Sequence, residues 1–256
     1  MAAKRKKKSP RLILVLTIVA FAIFAGMLGY KWLMYRKAKF TRYTEFGISI
    51  PSDYLIHGID VSRYQQIIAW EEVKAMQVYD IKLGFAFIKA TEGVSNVDPQ
   101  FSRNWRKAKA NDIPRGAYHF FIASRDGKLQ AENFIKRVDL APGDLPPVLD
   151  VEQLNSTSRA QLRKEAKEWL EVVEKHYKVR PIIYTNVDFY NNYLGDEFDD
   201  YPLWVAHYYE QRKPRISRDW SFWQHSDKGS VNGIISRVDF NVFAGDSVAF
   251  REMLVR

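Results

Sequence analysis

The sequence predicts an α/β fold: an irregular parallel β/α (TIM-like) barrel of about eight strands and five helices, preceded by one transmembrane helix. Three observations carry this expectation. Strand-like apolar runs recur from residue 55 to residue 243, amphipathic stretches separate the first five of them, and one uncharged apolar run lies near the N-terminus. With 256 residues, 46% hydrophobic and 14% aromatic, the chain has ample material for a packed core.

The strand-like runs are Leu55–Val61, Phe85–Thr91, Arg115–Phe121, Pro147–Glu152, Pro181–Asn186, Leu203–His207, Phe222–His225 and Val238–Phe243. Between the first five lie Ile67–Tyr79, Pro99–Asn111, Lys128–Val138 and Ser158–Tyr177. The last of these opens on Ser158 as an N-cap and carries apolar residues at Leu162, Ala166, Trp169, Leu170 and Val173, one face of a helix. Later links are shorter, so the barrel is expected to lose helices in its last third. An open nucleotide-binding sheet is disfavoured, because neither GxGxxG nor GxxxxGK[ST] is present.

Leu12–Tyr30 is a nineteen-residue run without a charge. At about 1.5 Å per residue, a helix of that length crosses a hydrocarbon core of about 30 Å. Lys31, Arg36 and Lys37 can snorkel at one end, and Trp32 and Tyr35 suit the interface. The chain divides into a basic cytoplasmic tail (1–11), a transmembrane helix (12–30), a juxtamembrane linker (31–54) and a barrel (55–256). The Lys4–Lys8 cluster favours a cytoplasmic N-terminus, which puts the barrel on the exported side. A cleaved signal peptide is the alternative; the long apolar run, with no clean A-x-A site following it, argues for an anchor.

Charge placement excludes a nucleic-acid partner. Of 39 Lys and Arg, eleven fall in residues 1–42 beside no acid, leaving 28 against 30 acidic residues over the remainder. The basic excess flanks the apolar run instead of lying on the barrel. No cysteine is present, so disulfides, thiolate metal sites and a cysteine nucleophile are excluded. The five histidines lack metal-ligand spacing, and neither a metal nor another cofactor is expected.

Polar groups collect at the strand ends. Asp60 closes the first run, Glu92 follows the second, Asp150 and Glu152 end the fourth, and Asn186 ends the fifth. Gln224 lies in the seventh run, and Asp239 and Asn241 in the last. In a parallel barrel the C-terminal strand ends open on one face, where active sites are built. Asp150 and Glu152, at i and i+2, project to the same side of a strand. Two carboxylates so close repel, giving a neutral acid beside an ionised partner, as cleavage of glycosidic bonds requires. Tyr118, Tyr184, Trp204 and Tyr208 are candidate platforms for pyranose rings, whereas Trp223, Phe121 and His119 read as core.

The segments HGIDVSRYQ, FAFIKATEG, GAYHFF, PPVLDVE, PIIYTN, LWVAHY, FWQHSDKGSVNGI and VDFNVF occur in this order. Together they resemble glycoside hydrolase family 25, the Chalaropsis-type lysozymes or N-acetylmuramidases, over residues 55–245. The resemblance implies a modified barrel and hydrolysis of the β-1,4 bond between N-acetylmuramic acid and N-acetylglucosamine in peptidoglycan. It implies Glu152 as acid/base, with Asp60, Asp150 and Asp239 as the other cleft acids. Glu92, Tyr118, Tyr184, Asn186, Trp204 and Gln224 are the expected substrate-binding residues. The D-x-E spacing is similar to that of substrate-assisted hexosaminidases, which implies retention. The expected location is a bacterial cytoplasmic membrane with the barrel on the exported side, and the competing class is a membrane-anchored peptidoglycan-binding module that does not cut.

Overall fold

The computed structural model describes residues 10–35, 39–208, 210 and 213–256. Helix α1 (Pro10–Tyr35) contains an apolar segment, Leu14–Trp32, long enough to cross a membrane, and none of that segment is buried against the rest of the chain. The helix outruns the apolar stretch because Lys31, Leu33 and Met34 are good helix formers. The tail residues 1–9, Arg36, Lys37 and the side chain of Tyr35 lie outside the described residues.

Part of the stretch expected as a linker is folded. Strands β1 (Phe40–Tyr43) and β2 (Ile48–Pro51) form an antiparallel hairpin with Tyr43 opposite Ile48. Phe46, Ile48 and Ile50, two residues apart, are buried together with Tyr43. Phe46 meets Phe240 edge-on, with centroids 5.2 Å apart.

The barrel strands follow: β3 (His57–Val61), β4 (Gln77–Val78), β5 (Ile81–Glu92), β6 (Asn96–Val97), β7 (Arg115–Phe120), β8 (Val148–Asp150), β9 (Ile182–Asn186), β10 (Leu203–Ala206), β11 (Phe222–Gly229) and β12 (Val238–Phe243). The helices among and after them are α2 (Trp70–Ala75), α3 (Phe101–Ala110), α4 (Gly127–Ile135), α5 (Arg159–Tyr177), the single turn α6 (Val187–Phe189) and α7 (Ser247–Met253). The closed ring runs β3-β5-β7-β8-β9-β10-β11-β12 and back to β3, with β4 and β6 paired only to β5.

One expectation needs correction. Neighbours from β3 through β11 are parallel, but β12 is antiparallel to both β11 and β3. Residues 230–237, eight in all, join β11 to β12. That is too short for a parallel crossover, which needs a dozen or more. Asp239 therefore lies near the start of its strand, yet the reversed direction brings it to the same mouth as the other strands' C-terminal ends. Its cross-strand partner is Asp60.

Two apolar layers build the core. Inside the ring, Phe85, Phe87, Val148, Ile182, Trp204 and Phe222 fill the barrel. Outside it, Ile88, Leu149, Val205, Trp169 and Leu170 join strands to helices. The interior rings fit because neighbouring strands present glycine: a Cβ on Gly58 would lie 2.5 Å from Phe85, and one on Gly116 2.5 Å from Phe87. Helix α5 matches its periodicity, with Leu162, Ala166, Trp169, Leu170 and Val173 all buried. Ser158 Oγ caps it by accepting from Gln161 N at 3.1 Å. Helix α2 is shorter than expected because residues 77–78 pair as a strand instead. His119 is a core residue, bonded through Nδ1 to Thr91 Oγ1 at 2.7 Å and through Nε2 to Gln130 Oε1 at 3.3 Å.

The hairpin's contribution is measurable. Phe46→Ala is expected to destabilise the barrel by about 3–5 kcal/mol, the usual cost of deleting a fully buried phenylalanine. Urea unfolding of the detergent-solubilised chain checks this; a change of a few tenths would mean that the hairpin is a passive spacer.

Candidate active site

The mouth of the barrel is an open cleft of about 260 Å³, lined by Asp60, Asp150, Glu152 and Asp239. Each acid arrives on a different backbone feature. Asp60 is the inward residue before the end of β3, Asp150 ends β8, Glu152 follows two residues later, and Asp239 opens β12. Tyr118, Tyr184, Trp204 and Gln224 line the same cleft. Trp223 and Phe121, expected as core, are buried away from it.

The floor is aromatic. Trp204 stacks on Phe87 with centroids 4.3 Å apart and planes inclined by 21°, and it meets Tyr184 at 4.4 Å. Its polar edge points into a hydrogen-bond chain. Trp204 Nε1 donates to Asn241 Oδ1 at 2.8 Å, and Asn241 Nδ2 donates to Asp60 Oδ2 at 2.8 Å. Gln224 Nε2 donates to the same oxygen at 2.7 Å and reaches Asp239 Oδ2 at 3.5 Å. Gln224 Oε1 accepts from Tyr184 Oη at 2.7 Å and Tyr208 Oη at 2.5 Å. With both phenols donating to its carbonyl, the amide must turn its N–H groups to the carboxylates. Trp204 and Gln224 thus build the wall that holds Asp60, and both are almost fully buried.

Desolvation sets the electrostatics. Burial raises Asp60 to about 6, while hydrogen bonds from Asn241, Gln224 and Asp239 oppose the rise. Burial and then the charge of Asp60 push Asp239 up to about 9. Near neutral pH, Asp60 is largely ionised and Asp239 holds its proton. Burial also raises Asp150, reinforced by Glu152, and its Oδ1 has no hydrogen-bond partner among the described residues. Glu152 is raised by burial and by Asp60, with Lys89 acting in the opposite sense. The phenols of Tyr118 and Tyr184 are held protonated, chiefly by burial.

Two residues anticipated for substrate contact are not in the cleft lining. Asn186 Oδ1 accepts from Phe189 N at 2.8 Å, capping α6. Glu92 is bound to Lys89, Oε2 to Nζ at 2.6 Å, and lines an adjoining pocket. Tyr208, a candidate platform, lines the cleft, whereas the sequence reading passed over Lys89. Lys89 lies on β5 with its ammonium 4.5 Å from the Phe120 ring, and it lines both pockets. Its signal was available: in FAFIKA, a lysine interrupts a run that is otherwise apolar. The turn Ser62–Gln65 also lines the cleft through Ser62, Tyr64 and Gln65.

The raised acids make stability depend on pH. A carboxyl whose folded pKa exceeds its unfolded one binds protons more tightly when folded, so stability falls as pH rises between the two values. For Asp239 that window runs from about 4 to about 9. Asp239→Asn removes the titration, so the melting temperature of the variant relative to wild type should climb across this range. Thermal melts at pH 4, 6.5 and 9 check this; parallel curves would contradict it.

Comparison with known proteins agrees with the geometry. The sequence model for Glycosyl hydrolases family 25 matches residues 59–234. The uncharacterized protein YegX of Escherichia coli K12 is 51% identical over 200 residues, covering 78% of this chain and 74% of that protein. Lysozyme M1 of Streptomyces globisporus is 35% identical over 211 residues, covering 75% of this chain and 69% of that one. The solved structure of a family 25 glycosyl hydrolase from Bacillus anthracis superposes with a TM-score of 0.75 at 34% identity, covering 84% of this chain and 100% of that chain. The matched region runs from β3 to the turn before β12 and so takes in seven of the eight ring strands. This chain is therefore a glycoside hydrolase and belongs to family 25.

Proposed function

We propose that the chain is a lysozyme that hydrolyses the β-1,4 bond between N-acetylmuramic acid and N-acetylglucosamine in peptidoglycan, with Glu152 as proton donor. The observation that carries the reading is the gathering of four carboxyl groups, remote in sequence, at one open barrel mouth above an aromatic floor. Relatives named as lysozyme and N,O-diacetylmuramidase support the substrate class.

In the proposed mechanism Glu152 enters protonated, favoured by burial and by the negative Asp60. It gives that proton to the glycosidic oxygen as the bond to the anomeric carbon breaks. The substrate's 2-acetamido oxygen forms the new bond to that carbon, and Asp150 Oδ1, which accepts from no donor among the described residues, accepts the acetamido N–H. Water then attacks the anomeric carbon, loses its proton to Glu152 and releases the acetamido group with net retention. Asp60, held ionised by Gln224 and Asn241, stabilises the positive charge that develops at the ring.

Glu152→Gln should lower turnover on purified sacculi by about 10²–10⁴-fold, read as reducing muramic-acid ends. Near-normal turnover would remove Glu152 from this role. Binding of sacculi without any new reducing ends in wild type would instead identify a non-cutting wall-binding module. A covalent glycosyl adduct on Asp60 would replace the acetamido route with direct carboxylate attack.

We also infer that α1 is retained as a single-pass anchor with the barrel on the exported side. Support comes from the apolar length of Leu14–Trp32, charged only at Lys31, and from the extracytoplasmic place of the wall. Carbonate-washed membranes should keep the full-length chain, with its barrel open to protease only from the exported side. A shortened chain free in the exported compartment would indicate a cleaved signal peptide.

A further inference from the structure

Beside the cleft lies a second pocket of about 210 Å³, bounded by Arg63, Lys89, Glu92, Asn96, Val97 and Asp98. Lys89 belongs to both pockets, so one wall is common to them. The charged groups of the second pocket are not equivalent. Lys89 is already bound to Glu92. Asp98 is consumed by the backbone, its Oδ2 accepting from Arg63 N at 2.8 Å and its Oδ1 from Gln100 N at 2.8 Å. The Arg63 guanidinium has no carboxylate within ion-pair distance among the described residues, and it sits 5.3 Å from the Tyr64 ring.

Arg63 does not stand on a slack loop. Its turn is closed by a reciprocal cap, Ser62 Oγ accepting from Tyr64 N at 3.3 Å and Gln65 Oε1 accepting from Ser62 N at 2.9 Å. Gln65 Nε2 donates to Arg237 O at 2.9 Å, tying the turn to the segment before β12. A fixed backbone that presents an exposed guanidinium at the second pocket, with Glu92 and Asp98 near it but beyond ion-pair distance, leaves its fork open to an anion. Tyr64, 70% exposed on the same turn, leaves the cleft side open to a sugar ring.

We infer that this pocket receives the 3-O substituent of the muramic acid bound in the cleft, with Arg63 pairing to its carboxylate. The inference rests on the lysozyme reading above, which puts a muramic acid beside Glu152. Carbon 3 of that sugar neighbours the carbon bearing the acetamido group, so its substituent must leave the cleft close to Asp150. Lys89, which acts on Asp150, is the residue the two pockets share. The carboxylate has two possible sources, the stem peptide or a bare lactyl group, and the guanidinium fork suits either.

Three substrates separate the possibilities in the full chain: native glycan strands, strands stripped of peptide by an amidase, and stripped strands whose lactyl carboxyl is converted to an amide. Arg63→Gln should raise KM by about tenfold on a carboxylate-bearing strand and leave KM on the amidated strand unchanged, a loss of the size expected for one charge-assisted hydrogen bond. An effect confined to native strands assigns the stem peptide, and one confined to stripped strands assigns the lactyl group. Equal effects on all three substrates, or none on any, overturn the inference. Failure of wild type to cleave any of the three overturns the lysozyme reading instead.

Discussion

The pairing of β12 with β3 is the constraint on which the site depends. It closes the ring and, by setting Asp239 opposite Asp60, brings two carboxyl groups together at the mouth, Asp60 buried and Asp239 half-buried. Like charges at such range cannot both persist, so one acid keeps its proton and the other becomes the fixed negative charge of the mouth. Gln224 and Asn241 decide which is which, because both donate to Asp60 at short range while Asp239 receives only the long contact from Gln224. The strand that completes the barrel mechanically also completes it electrically.

Beneath this pair the chemistry of the floor is mostly that of exclusion. Trp204 serves twice, as a stacked member of the interior and as the donor that orients Asn241. Phe85 and Phe87 pack directly against the bare backbones of Gly58 and Gly116, so the interior below the carboxyls is closely filled with apolar rings. The raised pKa values of the carboxyls follow from burial more than from any single neighbour. The same low-dielectric setting strengthens each hydrogen bond in the Trp204–Asn241–Asp60–Gln224 chain.

Much of this could be read from the chain. Strand-ending acids at Asp60, Asp150 and Glu152 mark a barrel mouth because carboxyls are costly inside an apolar layer and cheap around a wet cleft. The periodicity of α5 likewise points to its buried face. What could not be read is direction and partnership. Periodicity two is the same for a strand run up or down, so the reversal of β12 was invisible until its eight-residue link was recognised as too short for a crossover. Asn186 and Gln224 look alike as strand-end amides, yet one caps a local turn and the other spans the cleft, a difference made entirely by tertiary contacts. The Phe46–Ile50 alternation is so short, after a basic stretch, that it gives little signal without the barrel surface it covers.

The β1–β2 hairpin is built into the barrel, and in the sequence only residues 36–39 separate it from α1. At about 3.3–3.6 Å per residue, four residues span at most roughly 13–14 Å. On the proposed reading of α1 as a retained membrane anchor, that bound keeps the hairpin close to the lipid surface. Reach, as much as pocket chemistry, would then select the glycan: the layer laid down nearest the membrane is open to cutting, and mature wall farther out escapes it.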